Sequence, residues 1–161
     1  YASFRAMNSR IKIQLSANQR KTLLGVSIAV LVLTLIQMVM GTQIREAVDV
    51  AKNVMDIPRS EWIDSVGTLY PIHRSFSWLV VVPAGLMLFY NRKYKVGSLL
   101  RRLGWAVAFL ILLQVVAGVI LERFGMPGFA QVIHLTGVAV LICAEILYIL
   151  VVRFSKKGSV T

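Results

Sequence analysis

Residues 22–40 read TLLGVSIAVLVLTLIQMVM, an uncharged run long enough for one helix to cross a bilayer core about 30 Å thick. Three further apolar stretches follow: Phe76 to Tyr90 with a more polar lead-in from Pro71, Leu103 to Leu121, and Phe129 to Val152. With that lead-in, each of the four reaches the roughly 17–25 residues a transmembrane helix needs. The runs are continuous rather than alternating, which excludes barrel strands, the other structure that satisfies its backbone in lipid. The whole chain of 161 residues is 57% hydrophobic with a mean hydropathy of +0.72, more apolar matter than a soluble domain of this size can bury. The expected fold class is all-α, an integral membrane four-helix bundle in contact with lipid. Its helices are expected at 22–40, 71–90, 103–121 and 129–152, forming a transmembrane domain over 22–153. A basic lead-in (1–21), an outer loop (41–70) and a basic tail (154–161) complete the chain.

Charge sets the orientation. Arg5, Arg10, Lys12, Arg20 and Lys21 precede the first run; Arg92, Lys93, Lys95, Arg101 and Arg102 separate the second from the third; Arg153, Lys156 and Lys157 follow the fourth. The 41–70 connection instead carries Glu46, Asp49, Asp56, Glu61 and Asp64 against three basic residues. The positive-inside rule then puts both termini and the middle loop inside and the acidic loop outside. A net charge of +11 suggests nucleic acid at first sight, but the cations are split among three places instead of forming one stripe, so no nucleic-acid partner is expected. Trp62, Trp78 and Trp105 read as interface anchors, and Pro83 is expected to kink the second helix. The single cysteine, Cys143, allows no internal disulfide and reads as a small buried hydrophobe. The polar opening lacks the apolar core of a signal peptide. Starting at Tyr1, it leads to the expectation that further sequence lies upstream.

The chain repeats itself. Gln37 and Gly41 close the first run as Gln114 and Gly118 close the third, each apolar-apolar-Gln, three apolar residues, Gly. Four residues past each glycine comes a charge pair, Arg45-Glu46 and Glu122-Arg123, and the helix after each carries a histidine near its start, His73 and His134. Chance resemblance between leucine-rich helices is the plain alternative. Two helix pairs related by a pseudo-twofold axis would bring both histidines, and both glutamines, to one level of the bundle. Polar groups at that depth normally face the interior. The glycines serve either close helix packing or the clearance of a flat ligand.

Two facing imidazoles suit the axial positions of haem iron. Zinc fits poorly, since it wants three or four ligands; copper stays open, as does a plain interfacial role for each ring. Ligation is preferred because the only two histidines occupy equivalent repeat positions. Haem propionates would need cations: Arg74 stands first, next to His73, while Arg45 and Arg123 serve equally well as interfacial anchors. Glu145 lies three turns beyond His134 on nearly the same face, a candidate for proton movement, with packing near the inner surface slightly preferred.

The run Gly41-Thr42-Gln43-Ile44-Arg45-Glu46-Ala47-Val48-Asp49, with His73-Arg74 and Gln131-Val132-Ile133-His134-Leu135, resembles the C-terminal half of haem A synthase. The resemblance spans Thr22 to Arg153. That family oxidises a methyl of haem O to the formyl group of haem A for cytochrome oxidase, and is built as two similar four-helix halves. It implies a b-type haem held by His73 and His134, with Arg74 near a propionate. Haem O and haem A are the implied substrate and product. Its N-terminal half, with substrate-side histidines, an outer glutamate and in many members a cysteine pair, has no counterpart in these residues. The implied partner is therefore such a half, or a second copy of this chain, with oxidase assembly machinery around it. The bacterial plasma membrane is the expected location, the mitochondrial inner membrane the alternative. Other functions left open are a non-enzymatic membrane b-type cytochrome or haem-binding assembly subunit, and a cofactor-free structural subunit of a respiratory complex.

Overall fold

The computed structural model describes residues 14–157, so parts of the expected lead-in and tail lie outside the described residues. Four long helices carry the fold: α1 Ala17–Asn53, α2 Leu69–Lys93, α3 Ser98–Arg123 and α4 Gly128–Arg153. All four are long and apolar enough to cross a membrane. A two-residue parallel pairing of β1 (Gln14–Leu15) with β2 (Lys156–Lys157) draws the two ends of the described chain together. Arg20, Lys21, Arg92, Lys93, Arg101, Arg102 and Arg153 gather at this end of the bundle.

α1 starts at a capping box: the Ser16 hydroxyl accepts from the Gln19 amide at 3.3 Å and the Gln19 side chain accepts from the Ser16 amide at 3.0 Å. Two donors that open every helix unpaired are thereby satisfied. The two tight connections share another device. Lys95 (φ 48) and Gly125 (φ 60) take the left-handed conformation, and the next amide, of Val96 or Met126, closes onto Asn91 O at 3.2 Å or Leu121 O at 2.8 Å. These are Schellman closures, which turn each chain end sharply enough for antiparallel neighbours.

Each helix packs against two others, α1 against α2 and α4, and α3 against α2 and α4. α2 and α4 are therefore diagonally opposed across the bundle. The core repeats as the sequence does. Leu23, Ser27, Val30 and Thr34 are buried in α1, and their equivalents by the Gln37/Gln114 register, Leu100, Gly104, Val107 and Ile111, are buried in α3. Val80, Ala84, Met87 and Asn91 of α2 likewise match buried Leu141, Glu145, Tyr148 and Val152 of α4 in the His73/His134 register. Between 17% and 33% of each spanning window is buried inside the bundle. The rest, including Val82, Phe109 and Val132, faces outward and finds its apolar solvent in lipid.

Two expectations need correction. The connection expected over 41–70 begins only after Asn53, because α1 runs on for three more turns. Ile44, Val48 and Ala51 are buried there at i, i+4 and i+7, an amphipathic stripe that joins the helical spacing around Val48 to Val54 to the first span. At about 55 Å, α1 outreaches the hydrocarbon core, and these last turns extend past it. Cys143 is exposed rather than buried; two residues from both Leu141 and Glu145, it takes the opposite side of α4. Pro83 does lie inside α2. Beyond α1, residues 54–68 form two short 3-10 turns, Arg59–Glu61 and Asp64–Val66. Trp62, Ile63 and Val66 pack with Ile44, Val48 and Met126 in a second small core. Arg59 pins this segment to the α3–α4 connection, donating to Gly125 O and, at 2.8 Å, to Met126 O.

Candidate functional site

Between the four helices, at the end remote from the β1–β2 pairing, lies a cavity of about 360 Å³, within the range of small-molecule and cofactor sites. Its wall obeys the repeat. Gln37, Gly41 and His73 line it from one half, Gln114, Gly118 and His134 from the other. The two histidines come from diagonally opposed α2 and α4, so they approach one space from opposite sides. Antiparallel topology does this: α2 and α4 both start at this end, and each histidine falls in the second turn.

Each ring has a glycine beside it. A Cβ added at Gly41 would stand 3.5 Å from His73 Cε1, and one at Gly118 would stand 3.9 Å from His134 Cε1. Each ring also keeps a buried nitrogen, Nδ1, without a hydrogen-bond partner among the described residues. Buried polar atoms are normally paired, and an orphan in a native fold calls for an explanation such as an ion or ligand. Gln37 donates to His73 O at 2.8 Å, and its amide nitrogen stands 3.5 Å from His73 Nε2. Gln114 instead presses on α4, where a Cβ at Gly137 would collide with its amide. Among the described residues no three His, Cys, Asp or Glu side chains cluster as a metal cage. Two imidazoles alone suit a metal whose other ligands come from a macrocycle.

The charged residues divide. Arg45 and Arg74 both line the cavity. Arg45 pairs with Asp49 at 3.0 Å and also donates to Gln131. Arg74 crosses to Glu122 at 2.8 Å, with 61% of its own side chain exposed at the rim. Arg123 is not part of the lining. Helix geometry explains it: Glu122 lies one turn past Gly118 and shares its face, whereas Arg123 is rotated a further 100°. The cavity-facing members of the two charge pairs are thus Arg45 and Glu122, opposite in sign across the repeat. The expectation also passed over Tyr70, Gln131 and Glu122, which line the mouth. Tyr70 and Gln131 are equivalent in the histidine register, and that was readable once the repeat was known. Thr34, on the cavity floor, gave no signal beyond being a small polar residue in an apolar run.

Among models of protein families, one described as cytochrome oxidase assembly protein, COX15-CtaA, matches residues 2–146. No curated protein and no solved structure matches the chain.

Proposed function

The chain belongs to the COX15-CtaA family of cytochrome oxidase assembly proteins, and from that premise we propose that it is the haem-b-binding half of a haem A synthase. Its part is to hold one haem b through His73 and His134 while the methyl group of haem O is oxidised to the formyl group of haem A. The observation that carries this reading is the repeat's symmetry at the cavity: two diagonal histidines, each with an adjacent glycine and a buried ring nitrogen left unpaired.

In this reading each residue has a task. His73 and His134 supply neutral imidazole donors, and Gly41 and Gly118 keep the space beside them clear. Gln37, bonded to the α2 backbone at His73, steadies the ring's helix, and Gln114 packs against α4 at Gly137. Arg45 and Arg74 offer guanidinium donors at the mouth, where propionates would be matched by their planar forks. Residues 54–68, held by Arg59, pack beside that mouth, where Ile63 joins the cavity wall. The bound haem supplies reversible one-electron chemistry; the acceptor of its electron is a separate molecule. Substrate oxidation needs a second four-helix half or another copy of this chain, with the oxidase assembly machinery as further partner. The basic end gathered around β1 and β2 supports an orientation with both termini inside, and a bacterial plasma membrane is preferred to the mitochondrial inner membrane.

The chain purified in detergent is expected to carry one extractable b-type haem. Paired with its second half, it converts added haem O to haem A, read by chromatography of extracted haems. A haem-loaded pair that leaves haem O unchanged would leave a membrane cytochrome instead of a synthase. A helical chain that takes up no haem would refute the site itself.

A further inference from the structure

Glu145 is 2% exposed in the middle of a membrane helix. Its Oε1 accepts a hydrogen bond from Thr34 Oγ1 at 2.8 Å, while Oε2 is buried without a partner among the described residues. Thr34 lines the cavity, so the carboxyl group stands one hydrogen bond beyond its floor. A buried carboxylate with an unpaired oxygen costs several kcal/mol.

The repeat provides an internal control. The residues equivalent to Thr34 and Glu145 are Ile111 and Ala84, and both are buried. One half of the bundle therefore fills this level with hydrocarbon alone. Packing does not demand the acid, and ionisable groups in a membrane interior are costly enough to mark function. One turn further on, the Tyr148 hydroxyl of α4 donates to Asn91 Oδ1 of α2 at 2.6 Å, whereas their equivalents in the repeat, Met87 and Val152, are buried and apolar.

We infer that Glu145, hydrogen-bonded to Thr34, is a redox-linked proton site for the group in the cavity. This rests on the haem reading given above. A ferric porphyrin between two neutral imidazoles has one net positive charge at its core, and the ferrous form has none. Glu145 is a carboxylate facing the first and a carboxylic acid facing the second. Reduction places one electron, from an external one-electron donor, on the iron and one solvent proton on Glu145; oxidation releases both. Thr34 donates its hydroxyl proton to Oε1 in either state.

Among the described residues no other titratable side chain faces the core at this level. α4 packs against α1 and α3; α1 presents Val30 and Thr34 there, α3 presents Val107 and Ile111, and diagonal α2 presents Ala84 and Met87. Tyr148 on α4 itself is engaged by Asn91. Towards the mouth stand His73 and His134, with Tyr70, Arg45, Arg74 and Glu122 beyond them.

Haem-loaded chain is titrated with dithionite at a series of pH values, beside Glu145→Gln and the double variant Thr34→Ile/Glu145→Ala, which copies the packing of the other half. Because the reduced form binds the extra proton, rising pH disfavours it. The expected ratio of reduced to oxidised haem at fixed potential falls about tenfold per pH unit in the parent and stays flat in both variants. Infrared spectra of haem-free parent should show a protonated-carboxyl band that both variants lack, and the same band should grow on reduction of the loaded chain. A pH dependence retained in the variants, or no protonated-carboxyl band in the parent, overturns the inference. If the folded parent binds no haem, the haem reading falls with it, and the absent visible spectrum tells that failure from the other two.

Discussion

Replacing Gly41 and Gly118 by alanine separates a structural role for these glycines from a ligand-clearing one, because the two roles predict opposite signs. In the folded chain the new methyl groups would lie 3.5 Å from His73 Cε1 and 3.9 Å from His134 Cε1, ordinary van der Waals distances with no penalty. Alanine inside a helix is favoured over glycine by about 1 kcal/mol. The haem-free double variant should therefore be as stable as the parent or roughly 1–2 kcal/mol more so, measured by denaturant titration in detergent. The cofactor meets the opposite effect. A methyl group pushed into space that a macrocycle must fill costs about 1–3 kcal/mol, a loss of about 5- to 150-fold in affinity. Titration of haem against the Soret absorbance reads that loss directly. Haem bound by the double variant as tightly as by the parent would refute the reasoning, and so would a folding defect in the haem-free protein.

Three further outcomes follow from particular contacts. Tyr148→Phe removes the 2.6 Å bond to Asn91 Oδ1 and leaves Asn91, whose Nδ2 already has no partner, wholly unpaired; a loss of about 1–2 kcal/mol is expected in unfolding titrations. Arg74→Ala breaks a mostly exposed ion pair with Glu122, so stability should change by less than about 1 kcal/mol, while haem affinity drops severalfold and loses part of its salt dependence. Ser16→Ala destroys the capping box that opens α1, at a cost of about 1 kcal/mol, seen as faster hydrogen exchange at the amides of residues 17–20.

What the sequence made legible depended on whether a signal was local. The four spans were plain, since each is a continuous apolar run. The histidine pair was plain too, because the repeat placed His73 and His134 at one depth, and the cavity has both in its wall. The end of α1 was legible in part: apolar and acidic residues at helical spacing around Val48 to Val54 point to a short amphipathic helix, but Arg45, Glu46 and Asp49 interrupt the hydropathy and hide that it continues α1. Glu122, one turn past Gly118, lines the cavity, a placement that a search for cations alone does not reach. The Thr34–Glu145 bond joins residues 111 positions apart. Counting along α4 finds the face of Glu145 but not its partner, which depends on how α1 packs against α4.

The central claim is that the two histidines ligate one haem, and a reduced-minus-oxidised optical spectrum of the purified chain, beside His73→Ala and His134→Ala, tests it most directly. Expected is a low-spin b-type spectrum in the parent that turns high-spin or vanishes in either variant. An unchanged low-spin spectrum in either variant, or no haem in well-folded parent protein, would contradict it.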